Sequence, residues 1–275
     1  MAIDSNSYFS NQAAVGLGGA TAGQFNKFDL HATPKYALGF KVECADGSTY
    51  RYAHLGAATN RGLLVGVDLS ESAVVDTDNV VIASASAVAV SGEAALPGAI
   101  GSRFVQITLA SVTANQYRGG KFITTDDTGE GFTYDIIGNT ATDNPATGDF
   151  RLELAQPLVI ALGTTTDFAI AANQYANLEG VTAGTDEIPV GVTCNTSTAA
   201  LPYGWIQTKG VVGILQDGTI NLGDIVCVSD GVTGAVHTLG GGGTDVADII
   251  TEPIVGTCLD PGDTTGHGVF KINLE

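Results

Sequence analysis

The sequence predicts an all-β protein: two β-sandwich- or barrel-like domains preceded by an extended N-terminal arm. Three observations point there. No window keeps apolar residues at i, i+3, i+4 and i+7 over three turns without a Gly or Pro, and Gly alone accounts for 37 of 275 residues. Short runs instead alternate apolar and polar residues with period two, which buries one face of a sheet. Turn residues recur at roughly the eight-to-twelve-residue spacing of sandwiches and barrels.

The elements follow in order. Residues 1–34 are rich in Gly, Ala, Ser and Asn, carry isolated aromatics and end at Pro34. They read as an arm that orders against a neighbour, with Tyr8, Phe9, Phe25 and Phe28 as its candidate partner contacts. Residues 35–180 are expected to form a β-domain. It opens with a hairpin in which Asp46-Gly47 separates Gly39–Cys44 from Tyr50–His54. Val105, Ile107 and Leu109 share one strand face, as do Phe150, Leu152 and Leu154. Residues 181–275 are expected to form a small barrel-like domain around Trp205, Ile206, Ile225, Val226, Phe270 and Ile272, with Gly210, Gly213, Gly223 and Gly234 allowing tight corners. Phe104 completes the expected core.

Charge is the next constraint. The formal net charge is −18, with 29 acids and 11 bases. Residues 1–120 hold 9 acids and 7 bases; residues 121–275 hold 20 and 4. An acidic surface repels nucleic acid and anionic lipid, so neither is expected as a partner. The near-neutral part, residues 1–120, is expected to supply a docking surface, while the acidic part faces solvent. No apolar run approaches the roughly 20 residues of a membrane span. Met1–Ser7 shows no basic segment followed by an apolar one, so folding in a cytoplasm is expected.

Residues that could carry chemistry are scattered. Cys44, Cys194, Cys227 and Cys258 form no CxxC, and in a reducing compartment they read as buried small hydrophobes. His31, His54, His237 and His267 form no HxH or HExxH. Asp126-Asp127-Thr128-Gly129-Glu130-Gly131 invites a calcium reading, but the position that should hold the closing glutamate of an EF-hand loop is Ile137, so a solvated hairpin turn is expected. Neither a nucleophile elbow nor a phosphate loop is present. A two-carboxylate glycosidase has little support from a chain with one Trp to form a sugar platform. No enzyme activity, metal or cofactor is expected.

Three stretches resemble head-decoration, or cement, proteins of tailed bacteriophages, cyanophage types included. They are Leu38–Ala53 with its Asp-Gly hairpin, Ile107–Pro157, and Tyr203–Gly210 followed by Gly223–Val236 and Ile254–Thr257. Together they cover most of residues 36–275, and Gly39-Phe40 departs from the pattern, in which a small residue or Thr follows the glycine. The resemblance implies a virion structural protein without an active site. It would decorate the outer capsid surface, bridge major capsid subunits and stabilise the capsid, acting as a homo-oligomer, with a homotrimer matching local three-fold points. A tail- or fibre-associated receptor-binding protein is the alternative. The major shell subunit is disfavoured, because no segment can form its long helix.

Overall fold

The computed structural model describes residues 25–68, 74–77, 97–109, 111–143, 148–163, 165–182, 187–240 and 253–275. Within them the chain is all-β, without a helix, and its two sheets are antiparallel. The early strands are β1 (Leu30–His31), β2 (Lys41–Glu43), β3 (Thr49–His54) and β4 (Leu64–Asp68). The middle ones are β5 (Val74–Thr77), β6 (Phe104–Thr108), β7 (Lys121–Asp126), β8 (Thr133–Asn139), β9 (Asp149–Leu154) and β10 (Asp167–Ala171). The last are β11 (Glu179–Gly180), β12 (Glu187–Thr193), β13 (Tyr203–Leu215), β14 (Ile225–Val228), β15 (Val236–Thr238), β16 (Ile254–Asp260) and β17 (His267–Asn273).

The chain divides into two compact units, but not in sequence order. One comprises Met1–Ser70 with Gln174–Glu275, the other Glu71–Asn173. The linear division at residues 34 and 180 is therefore corrected: the middle unit is an insertion. The reason is strand pairing. β3 pairs with β13, and β4 pairs with β12 and β11, so the segment expected to open the first domain completes the sheet of the last.

In the larger unit the sheet order is β11-β4-β12-β13-β17-β16-β14-β15, with β1 and β3 also on β13 and β2 on β3. β13 is the spine. Tyr203–Lys209 pair with β3, and Lys209–Leu215 pair with β17. The change of partner coincides with a bulge between Gln207 and Lys209, followed by Gly210 at φ 106°. A Cβ there would lie 2.7 Å from Ser48 Oγ and 3.0 Å from Ser48 Cα, so only glycine fits. Buried Gln207 donates from Nε2 to the carbonyls of Lys209 and Val211, both at 3.1 Å, satisfying the acceptors the bulge frees. One face of this sheet buries Leu64, Val192, Ile214, Val226, Phe270 and Ile272.

The smaller unit is a six-stranded sheet, β5-β10-β7-β8-β9-β6. Its core contains Val105, Ile107, Phe122, Phe150, Leu152, Leu154 and Phe168, with Phe122 and Phe168 ring centroids 5.3 Å apart. The expected core residues are buried, apart from Phe104, Leu109 and Ile225. Phe104 is half-buried, Leu109 packs at the margin of this cluster, and Ile225 is 48% exposed. Ile225 faces out because its register partner is the exposed Thr257, which leaves Val226 to point inward.

Candidate interaction surface

Of the four arm aromatics, Tyr8 and Phe9 lie outside the described residues. Phe25 is half-buried, its ring 4.9 Å edge-on from Trp205 and 5.3 Å from Tyr50. Leu30–His31 pair with Tyr203–Gly204. Residues 25–34 thus fold onto their own sheet, which corrects the extended arm expected there; the remainder of the expected arm, residues 1–24, lies outside the described residues. The physical cause is the aromatic surface made by Tyr36, Tyr50, Tyr52 and Trp205, on which Phe25 loses more water-exposed area than it would in an extended strand. Phe28 alone of the two described arm aromatics stays open, at 55% exposure. Asn195 Nδ2 donates to its carbonyl at 2.6 Å, and its amide donates to Asn26 Oδ1 at 3.1 Å.

Of the histidines, His31 and His54 are packed within the fold. His31 Nδ1 lies 2.8 Å from the Tyr52 hydroxyl, and burial, then Lys35, lowers its pKa. Burial also lowers that of His54, which packs against Tyr203. All four cysteines are free thiols, Cys227 and Cys258 being buried. Among the described residues no group of three His, Cys, Asp or Glu side chains is arranged to hold a metal ion. The turn at Asp126–Gly131 is a hairpin tip between β7 and β8, as expected.

Glu275, just past β17, is held by side chains from β2, β3 and β13. Arg51 donates to it twice, Nε to Oε1 at 2.9 Å and Nη2 to Oε2 at 3.1 Å. Thr208 Oγ1 donates to Oε1 at 2.8 Å, and Lys41 Nζ lies 3.1 Å from Oε2. Burial works to raise the pKa of this carboxyl, but the bonds from Arg51, Thr208 and Lys41 outweigh it and hold the value at about 2.

The feature that sequence reasoning missed is the outer face of β13, β17, β16 and β14. Register places Val211, Lys271, Thr257 and Ile225 side by side across the four strands. All four are exposed, Val211 at 54%. Val269 and Leu259 lie along the same strands, and Ile254, 59% exposed, pairs with Cys227. Four strands span about 14 Å, so Val211 and Ile225 stand at the two ends of the row with Lys271 and Thr257 between them, and Val269, Leu259 and Ile254 are further exposed aliphatics on the same strands: a mixed face with clustered aliphatics. A signal existed. His267, Val269, Lys271 and Asn273 form the polar phase of β17, yet an aliphatic residue occupies one of its positions.

No family model matches this chain, and no curated protein or solved structure matches it.

Proposed function

We infer that this protein decorates the outside of a phage capsid, docking on the major capsid protein in many copies. The observation that carries the reading is the cluster of exposed aliphatics, Val211, Val269, Leu259, Ile254 and Ile225, on β13, β17, β16 and β14; the sequence resemblance to cement proteins supplies the class of target. The cluster favours this face, over residues 1–120, as the shell-facing surface. Its location in the acidic part of the chain is compatible with docking, because Lys271 is the charged group in the row across the four strands.

Magnitudes explain why copy number matters. Covering one aliphatic side chain fully contributes about 1.5–3 kcal/mol. Five half-exposed ones contribute about 4–8 kcal/mol by the same scale, which only offsets the roughly 4–15 kcal/mol cost of association. One such contact is weak. Linked copies on a repeating lattice bind far more tightly, since each later contact forms at high effective concentration.

The test is a pull-down of purified full-length protein with capsid shells. A Val211→Asp, Ile225→Asp double variant should lose attachment while keeping its melting temperature, since both side chains already face water. Undiminished attachment would refute this surface.

A further inference from the structure

The larger unit holds an open pocket of about 310 Å³, toward the lower end of the range for small-ligand sites. Its walls come from the 27–28 segment, the turn before β4, the end of β12, the middle of β13 and the start of β17. Lys27, Arg61 and His267 line it, together with apolar surface from Phe28, Cys194 and Val212. Among the described residues no acid lines it. In a chain with 29 acids and 11 bases, that is a local reversal of sign. Among the described residues neither Lys27 nor Arg61 has a carboxylate in salt-bridge range; Lys27 Nζ sits 5.2 Å from the Phe28 ring centroid. Gly62, at φ 72°, turns the chain so tightly that a Cβ would meet the His267 ring at 2.7 Å, and Arg61 beside it lines the pocket.

The smaller unit carries the opposite charge on an exposed turn. The β7–β8 tip holds Asp126, Asp127 and Glu130, all exposed, and then Phe132, 42% exposed. The tip is pre-shaped. Gly131 N donates to Thr124 O at 2.8 Å, Thr124 Oγ1 donates to Gly129 O, and Thr166 Oγ1 donates to Thr128 O at 3.2 Å. Little ordering cost would accompany docking.

We propose that the pocket lined by Lys27, Phe28 and Arg61 receives the acidic β7–β8 tip of a second copy of this chain. The carboxylates of Asp127 and Glu130 meet the two cations, and Phe132 meets Phe28. The contact is heterologous, pocket to tip, so it propagates from copy to copy and closes into a ring where the rotation allows. It also answers a physical difficulty: copies that each carry a net charge of −18 repel, and association needs a place where signs are opposed. This rests on the multi-copy reading above.

The test is sedimentation velocity of the purified full-length chain. The parent should self-associate at roughly 0.05 M salt and much less at about 0.5 M, where screening shortens the reach of charge. Lys27→Glu with Arg61→Glu should weaken self-association at least about tenfold, as should Asp127→Lys with Glu130→Lys. Mixing the two reversed proteins should restore association in trans, because a negative pocket then meets a positive tip. A parent that stays monomeric, reversed variants that associate like the parent, or a mixture that fails to associate would each overturn the proposal. If a reversal prevents folding, Arg61→Gln and Asp127→Asn serve instead, and unchanged association in both would overturn it. Shell attachment reads out separately: variants that lose self-association yet still bind shells leave the decoration reading intact, whereas a chain that self-associates but never binds shells removes that reading and not this one.

Discussion

At the scale of single residues, the Glu275 carboxylate ties charge to stability. Its pKa is about 2, against an ordinary 4.5, so the folded state binds that proton less readily than the unfolded one. Its contribution is therefore complete above about pH 4.5 and is lost as pH falls toward 2. The site is partly solvated, so Glu275→Gln should cost about 1–2 kcal/mol at neutral pH and flatten the loss of stability as the solution is acidified. Urea titrations at about pH 7, 4 and 2.5 check this, and parallel curves for variant and parent would contradict it. Leu152→Ala, which truncates a fully buried side chain, should cost about 2–5 kcal/mol. A melting temperature within a degree of the parent's would refute the packing described. Leu152 was legible in the sequence because Arg151 and Glu153 flank it and fix its phase. Ile225 was not: Ile-Val-Cys-Val is apolar throughout, and only its partner Thr257 decides which side chain faces water. The Glu275 clamp was equally hidden, since Arg51 lies 224 residues away in sequence.

At the scale of elements, strands and turns could be read locally but their pairing could not. Period-two alternation and turn residues identify β6, β9 and β17 well, because each has a polar face. Nothing periodic says that β3 belongs beside β13, so the insertion stayed invisible, and the linear domain boundaries were displaced. Strand ends show how the insertion is joined. In the larger unit β4 pairs with β11, Val65 opposite Gly180, so the two ends left by removing residues 71–173 emerge from adjacent strands. In the smaller unit β5 pairs with β10, Val74 opposite Ala171, so its own ends are adjacent too. Replacing residues 71–173 by a short Gly-Ser loop should leave a chain that melts cooperatively with a β-type circular dichroism spectrum. A non-cooperative melt would contradict independent folding. Gly210→Ala tests the β13 spine: a strained φ and contact with the Ser48 backbone should together cost more than about 1 kcal/mol. An unchanged denaturation midpoint would show that the bend relaxes elsewhere.

At the scale of the whole molecule, charge and exposed apolar area pull in opposite directions. A net charge of −18 favours solubility and keeps copies apart, while the exposed aliphatics on β13, β17, β16 and β14 favour burial against a partner. A protein that docks once needs a strong interface; one that docks many times on a lattice can use a weak one repeated. This face, modest in size and with Lys271 within it, suits the second case. The most direct measurement is the number and position of copies on purified particles, by quantitative mass spectrometry together with electron cryomicroscopy. The account predicts on the order of hundreds of copies on the outer shell, related by lattice symmetry, with the face bearing Val211 and Ile225 against the major capsid protein. A handful of copies confined to the tail, or none on the shell, would contradict it.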